Sequence, residues 1–295
     1  MIINITATNS NNDTFVFDSL NRIVNGLDLS GLGADVNVTD KSSGGAEYQN
    51  TRLQTRNINL EVQLRKRNQS EDLNDLARDR ALTVFNPELN PIRLNFSTSN
   101  GEEYYLDMYM TASPIMPTNK VNSNAAYQSM LLQAICPDPY IYQKFESNVE
   151  ISNYESLFEF DLEIPEEGIE IESKSQNLFG IIDYTGNGPT GITIKFKALS
   201  NVSNPGLVNV NTGERIRLNF QLISGDVMTI NTERDNRSIS LLRNNVPTNR
   251  FSSYVISQST FLEIQPGTNI FRPEADSGLD FLEVTIEYRI RKVGL

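Results

Sequence analysis

Hydrophobic and polar residues alternate along much of this chain, and the longest such run lies at residues 52–65. There Ile58, Leu60, Val62 and Leu64 alternate with Asn57, Asn59, Glu61 and Gln63. A period of two places the two sets of side chains on opposite faces of a β-strand. We therefore predict a long strand with one buried face.

One segment of the chain has a helical period instead. Its apolar positions recur every three or four residues, at Leu73, Leu76, Ala77, Ala81 and Val84. Ser70 is a suitable N-cap, and the acidic Glu71 and Asp72 suit the first turn of a helix. Pro87 ends the pattern. We predict one amphipathic helix at about residues 70–86, packed on a sheet through this apolar stripe.

Short alternating segments separated by turn residues fill the rest of the chain. In the first half we expect strands at residues 15–17, 22–24, 92–96, 104–110 and 127–135, with a hairpin turn at Asn100–Gly101. In the second half we expect strands at residues 157–163, 192–197, 208–210, 215–220, 227–231, 238–242, 261–264 and 282–289. Many short strands without a helical pattern indicate an antiparallel sandwich or barrel. The fold class is therefore mainly β.

A stiff proline step interrupts the strand pattern near the middle of the chain. Pro137 and Pro139 are separated by one residue, and neither can donate a backbone hydrogen bond to a ladder. We predict a boundary here between a domain at residues 1–136 and a second domain at residues 137–295. The alternative is a rigid turn inside one domain.

A long segment of small and polar residues at 31–50 carries Gly44 and Gly45 near its expected tip. A loop of this length is unusual in a compact domain. We interpret it as a long loop or an extended hairpin arm that reaches a partner. The alternative is a flexible surface loop.

The composition excludes several kinds of chemistry. The sequence has no His and no Trp, and Cys136 is its single cysteine. Ser-His-Asp and Cys-His nucleophiles, histidine metal sites and internal disulfides are therefore excluded. The formal net charge of −12 disfavours general binding to nucleic acids, because an acidic surface repels phosphates. No apolar run approaches the ~20 residues of a membrane-spanning helix.

Carboxylate chemistry remains possible, but no pattern specifies it. Glu102–Glu103 and Glu166–Glu167 lie beside Gly or Pro, where a solvated turn explains them. Asp183 and Asn187 lack the number and spacing of acids in a calcium loop. We therefore assign no catalytic, cofactor-binding or metal-binding residues and expect that the protein is not an enzyme.

Several motifs resemble those of one known family. They are residues 225–232, 240–242, 261–269 and 284–289, together with the Cys136–Tyr140 step. In their order and spacing they resemble siphophage distal tail proteins, and the resemblance covers nearly the whole chain. It implies an N-terminal β-domain with one helix and a C-terminal galectin-like antiparallel β-sandwich.

The resemblance also implies a structural role in the virion. Members of the family form six-fold rings at the tail tip, between the tail tube and the tail hub or baseplate. DNA passes through the ring without specific binding, and extended arms grip the neighbouring subunit. The outer domains dock receptor-binding or other baseplate proteins. We therefore expect a homo-oligomer, a hexamer, with these partners, and residues 31–50 are the candidate arm.

A carbohydrate-binding module is the alternative function, because galectin-like sandwiches often bind sugars. The candidate aromatic residues are Phe251, Tyr254 and Phe271, which core packing explains equally well. A tail-like bacteriocin could use the same structural protein as a phage, and the sequence does not separate the two.

Overall fold

The computed structural model describes residues 2–65, 71–124, 126–151, 154–156, 172–174 and 179–295. The first ten strands are β1 (Ile2–Thr8), β2 (Thr14–Phe17), β3 (Asn21–Ile23), β4 (Ala34–Asp40), β5 (Ala46–Leu53), β6 (Arg56–Arg65), β7 (Ile92–Thr98), β8 (Glu103–Met110), β9 (Tyr127–Cys136) and β10 (Ile141–Gln143). The next are β11 (Ser147–Ile151), β12 (Tyr154–Ser156), β13 (Glu172–Lys174), β14 (Gly180–Tyr184), β15 (Thr190–Ala198), β16 (Val202–Ser203), β17 (Gly206–Asn209), β18 (Arg215–Arg217), β19 (Gln221–Leu222), β20 (Val227–Asn231), β21 (Ser238–Arg243), β22 (Val246–Asn249), β23 (Glu263–Ile264), β24 (Gly267–Glu274), β25 (Leu282–Tyr288) and β26 (Arg291–Lys292). The described residues also contain the helix α1 (Glu71–Val84) and short 3₁₀ turns at Pro87–Leu89, Phe251–Ser253 and Leu279–Phe281. The fold is mainly β, as predicted.

The chain forms two compact units. Unit 1 contains Met1–Phe145 and Arg291–Leu295, and unit 2 contains Glu146–Ile290. The break thus falls between Phe145 and Glu146 rather than between Cys136 and Pro137. The reason is that β10, which follows the proline step, pairs with β8 and β26 and so stays in the first sheet.

Unit 1 is built on one antiparallel sheet in the order β2-β1-β7-β8-β9-β6-β3, with β10 and β26 at its side. Of the strand predicted at residues 52–65, residues 56–65 form β6, which pairs with β9 along its full length, whereas Arg52 and Leu53 belong to β5. Ile58, Leu60, Val62 and Leu64 are all buried, whereas Asn57, Asn59 and Glu61 are exposed. The alternation of the sequence therefore assigned the two faces of this strand correctly.

The helix α1 packs on this sheet through its C-terminal half. Ala81 and Val84 are fully buried, and Phe85 just beyond the helix lies 5.3 Å from the ring of Phe15. The predicted stripe is wrong at Leu76, which is 65% exposed. The predicted N-cap at Ser70 and the side chain of Leu73 lie outside the described part of the chain.

Unit 2 has the architecture of a β-sandwich. One sheet runs in the order β11-β25-β15-β20-β21-β22, with β23 beside β15, and the other runs β14-β24-β17-β18. Ile194 and Phe196 of the first sheet share a buried core with Leu207 and Phe271 of the second. The predicted strand at residues 157–163 lies outside the described residues.

The strand β24 is one of several strands of unit 2 that the sequence did not predict. It begins at Gly267 and continues to Glu274 through Pro273. The buried Asn269 explains the start of this strand. Its side chain donates to the carbonyls of Gln265 and Gly267 and accepts from the N–H of Gln265, so a polar residue occupies an inward position without an unsatisfied amide.

Candidate assembly surface

Residues 31–50 include most of a two-stranded hairpin that we call the arm, defined as residues 34–53. The arm consists of β4 and β5, which pair only with each other among the described residues. Its tip closes through hydrogen bonds between Lys41 and both Gly44 and Gly45, and these glycines have φ of +90° and +78°. The structure thus shows the hairpin form of the expected segment. Glycine suits this tip because positive φ is costly for other residues.

The register divides the arm into an apolar face and a polar face. Directly opposed residues of an antiparallel pair share a face. The apolar face carries the pairs Ala34–Leu53, Val36–Thr51 and Val38–Tyr48 and ends at the tip with Asp40–Ala46. The polar face carries Asp35–Arg52, Asn37–Asn50 and Thr39–Glu47. A β-bulge between Asn37 and Val38 keeps Tyr48 opposite Val38 on the apolar face. The arm is therefore an amphipathic ribbon.

Nothing within the described residues covers either face of this ribbon. Every residue of β4 and β5 is exposed. The exposed fractions of Val36, Val38 and Tyr48 are 58%, 55% and 62%. An isolated two-stranded hairpin is at best marginally stable in water, and unpaired strand edges invite pairing with another chain. The geometry therefore fits a segment that another molecule covers in an assembly.

The base of the arm is held by a buried arginine. Arg56 is 6% exposed, and its guanidinium donates to the carbonyl of Leu29 at 2.7 Å, to that of Pro139 at 3.1 and 3.2 Å and to that of Val293 at 2.6 Å. Burial lowers the pKa of Arg56, with the charge of the exposed Asp28 acting in the opposite direction. No sequence pattern indicated this contact, because its acceptors are backbone carbonyls from three distant segments.

Residues 291–295, which we call the return segment, are anchored in unit 1 by β26 and by three cation–aromatic contacts of Arg291 and Lys292. The guanidinium of Arg291 lies 4.5 Å from the ring centroid of Tyr140 and donates to the hydroxyl of Tyr142 at 2.8 Å. The ammonium of Lys292 lies 4.8 Å from the ring of Tyr104 and donates to its hydroxyl at 2.6 Å. Burial, and then the neighbouring carboxylate of Glu102, raises the pKa of Tyr104. These contacts make the return segment an integral part of unit 1.

Cys136 behaves as a small apolar residue at the end of β9. Its side chain is 1% exposed, and it belongs to the core of unit 1. Burial raises the pKa of its thiol to about 12, although the charge of Arg56 acts in the opposite direction. Its burial and raised pKa make it an unreactive core residue in the folded protein.

The carboxylates considered as alternatives have structural partners. Glu102 accepts from the hydroxyl of Tyr104 at 2.6 Å, and Glu103 forms a 2.5 Å ion pair with Lys144. Asp183 accepts from the hydroxyl of Thr268 at 2.7 Å, on strands that pair with each other.

These contacts hold strand neighbours together and orient none of these acids toward a common site. No cluster of three or more His, Cys, Asp or Glu residues suited to a metal occurs among the described residues. Glu166–Glu167 lie outside them.

The three aromatic residues considered for sugar binding do not form one platform. Phe271 is fully buried in the core of unit 2. The ring of Tyr254 stacks on that of Phe261 at 4.8 Å with an interplanar angle of 8°, so this neighbour covers one of its faces. Phe251 is 42% exposed at the edge of this cluster. The buried Phe271 therefore lies apart from the cluster that contains Tyr254 and Phe251.

Comparisons with known proteins point to one group. The sequence model of the family described as siphovirus-type tail component, C-terminal domain, matches residues 185–291. No curated protein matches the chain by sequence. Among solved structures, the Dit protein (gp 19.1) of phage SPP1, described as a paradigm of the hub adsorption apparatus in phages that infect Gram-positive bacteria, is similar over 97% of this chain and 98% of that chain, with 10% identity and a TM-score of 0.66. A chain of the phage P2 baseplate in its activated conformation with Ca is similar over the same shares, with 12% identity and a TM-score of 0.48.

The sequence match and the fold likeness agree with each other. The matched residues 185–291 lie in unit 2 apart from the last of them, and the likeness to the SPP1 protein extends over both units. No helix in the described part of the chain has the length and apolar character needed to cross a bilayer. The family match over residues 185–291 and the fold shared with the SPP1 Dit protein together show that this chain is similar to siphovirus-type tail components.

Proposed function

We propose that the protein forms a closed ring, a hexamer, that joins the tail tube to the tail hub or baseplate. The observation that carries this proposal is the uncovered amphipathic arm. A closed ring needs head-to-tail contacts, in which one surface of a subunit meets a different surface of the next. An arm whose apolar face is exposed in one subunit supplies one half of such a contact.

The lumen of this ring would let DNA pass without holding it. The net charge of −12 supports this role, because acidic residues facing the lumen would repel the phosphates. Unit 2 would face outward as the platform for receptor-binding or other baseplate proteins. Catalysis has no place in this role.

Mass measurement of the purified full chain, followed by negative-stain imaging, tests the ring. We expect annular particles and a mass that is six times the 33.2 kDa of one chain. A chain that remains monomeric at every concentration would contradict the proposal.

Deleting Ser42–Ala46 tests the part played by the arm. The deletion removes the tip glycines that close the hairpin, so we expect the mass to fall to that of the monomer. Light scattering provides the measurement, and circular dichroism checks that the variant keeps its β-structure. An unchanged oligomer would argue against the arm as the subunit contact.

A further inference from the structure

The two ends of the arm meet at one buried guanidinium. The chain passes Leu29 just before the arm and reaches Arg56 just after it, and the 2.7 Å hydrogen bond from Arg56 to the Leu29 carbonyl joins the two ends. A second bond, from the N–H of Gln54 to the carbonyl of Gly33 at 2.9 Å, lies between this bond and the hairpin ladder. We call residues 28–33 and 53–56 the arm root.

The return segment touches the arm root directly. Arg56 donates to the carbonyl of Val293 at 2.6 Å, so one side chain bonds both the root and the return segment. Gly294 packs beside the root, where an added Cβ would lie 3.2 Å from the carbonyl oxygen of Leu29 and 3.7 Å from the Cα of Ser30. The absence of a side chain at Gly294 thus permits this close approach.

The energetics of a buried cation make these contacts interdependent. The guanidinium of Arg56 is satisfied by the carbonyls of Leu29, Pro139 and Val293. Hydrogen bonds to charged groups are stronger than neutral ones, and a buried charge that loses an acceptor bears the cost of its desolvation. Displacing the Val293 carbonyl therefore weakens the site that also holds Leu29.

We propose that Arg56 and the return segment position the arm, so that the direction in which the arm leaves unit 1 depends on residues 291–295. Docking of the return segment completes the set of acceptors around Arg56 and fixes the arm root. Displacement of the return segment loosens the root while the sheet of unit 1 stays intact. The coupling itself concerns a single subunit, and only its consequence for ring closure rests on the proposed function.

Hydrogen exchange measured by mass spectrometry on the full chain tests this coupling. The first variant is Arg56→Met, which keeps the aliphatic stem but removes the donors. The second is Gly294→Val, which keeps Arg56 and places a branched side chain against the carbonyl of Leu29. Arg93→Met is the matched control, because Arg93 is an exposed arginine of unit 1 whose partner is Asp107.

We expect both test variants to exchange about tenfold to hundredfold faster at peptides covering residues 28–33 and 53–56, which is the range for loss of a charged hydrogen bond. Beyond its first pair, Arg56–Cys136, the β6–β9 ladder should keep its protection, because the remaining pairs do not depend on the root. The Arg93→Met control should exchange at the same rate as the unmodified protein, both at the arm root and in the β6–β9 ladder. Arg56→Lys should give an intermediate rate at the root, since its ammonium can replace some of the donors.

Two results would overturn the coupling. If Arg56→Met loosens the root and Gly294→Val does not, then Arg56 acts without the return segment. If neither variant changes the root, Arg56 does not position it. If Arg56→Met also speeds exchange in the β6–β9 ladder, the exchange rates of Gly294→Val and Arg56→Lys at the arm root decide whether the return segment and the root are coupled. If both test variants exchange faster at the arm root although the unmodified chain never forms rings, the coupling is supported. Only the proposed ring is then contradicted.

Discussion

Replacing both exposed valines of the arm should weaken assembly without unfolding the subunit. The change is Val36→Thr together with Val38→Thr. Threonine keeps the β-branched shape that suits a strand and replaces one methyl group with a hydroxyl. Because both side chains are exposed in the single subunit, the stability of that subunit should change little.

The magnitude follows from the exposed fractions of the two side chains. Val36 and Val38 are 58% and 55% exposed, so slightly more than half of each remains to be buried by a partner. Burying a methyl group completely stabilises a contact by ~0.8 kcal/mol, and burying a hydroxyl without a hydrogen-bond partner costs ~1–3 kcal/mol. At this partial burial we expect about 1 kcal/mol per site. The total of about 2 kcal/mol weakens each subunit contact roughly thirtyfold.

Sedimentation velocity over a range of concentrations measures this effect, with thermal unfolding as the check on the subunit. The matched control is Asn37→Thr with Thr39→Ser, two changes on the polar face of the same strand. We expect the concentration for half-assembly to rise for the valine variant and to stay unchanged for the control. Equal assembly of the two variants would show that the apolar face is not the contact. A larger loss in the control would assign the contact to the polar face.

Three further predictions concern the single subunit. Asp226 is 1% exposed, and burial raises the pKa of its carboxyl, but the hydrogen bonds from Arg243 and from the Ile223 N–H outweigh burial and lower that pKa. The stability that this carboxylate contributes is therefore fully present above pH ~4 and is lost as the pH falls through the lowered pKa. Asp226→Asn should therefore lower the free energy of unfolding by about 1–3 kcal/mol at neutral pH and reduce its loss at acidic pH. Urea unfolding at several pH values measures both effects, and an unchanged loss of stability at acidic pH would contradict the reasoning. Cys136, with its buried thiol and raised pKa, should react with a maleimide at pH 8 only after unfolding, and rapid labelling of the native protein would contradict its burial. Phe196→Ala should lower the free energy of unfolding by about 3–5 kcal/mol, since the ring is fully buried in unit 2, and a loss below 1 kcal/mol in urea titrations would contradict its place in that core.

Local patterns were sufficient to predict the elements that depend on nearby residues. The alternation at residues 57–64 fixed the buried and exposed faces of β6, because side chains point to opposite faces at every step of a strand. The Asn100–Gly101 signal marked the β7–β8 hairpin, and Gly101 has the positive φ of +84° that such turns require. The glycines at residues 44–45 likewise marked the tip of the arm.

The boundary between the units could not be read from local patterns. Pro137 and Pro139 do change the direction of the chain, but β10 then rejoins the first sheet through Ile141 and Tyr142. Strand pairing between residues 141–142 and 291–292 is a contact between distant segments. The local sequence on either side does not encode it.

The sequence by itself determined the mainly β character, the single predicted helix and the lack of histidine chemistry, and it left residues 31–50 as either a loop or a hairpin arm. Tertiary structure alone decided which residues of the arm share its apolar face, because a bulge between Asn37 and Val38 sets that register. It also decided that Arg56 is buried, although its neighbours in the sequence are polar. The physical reason is that carbonyls from residues 29, 139 and 293 replace the water around its charge, and only the folded chain brings those three oxygens together.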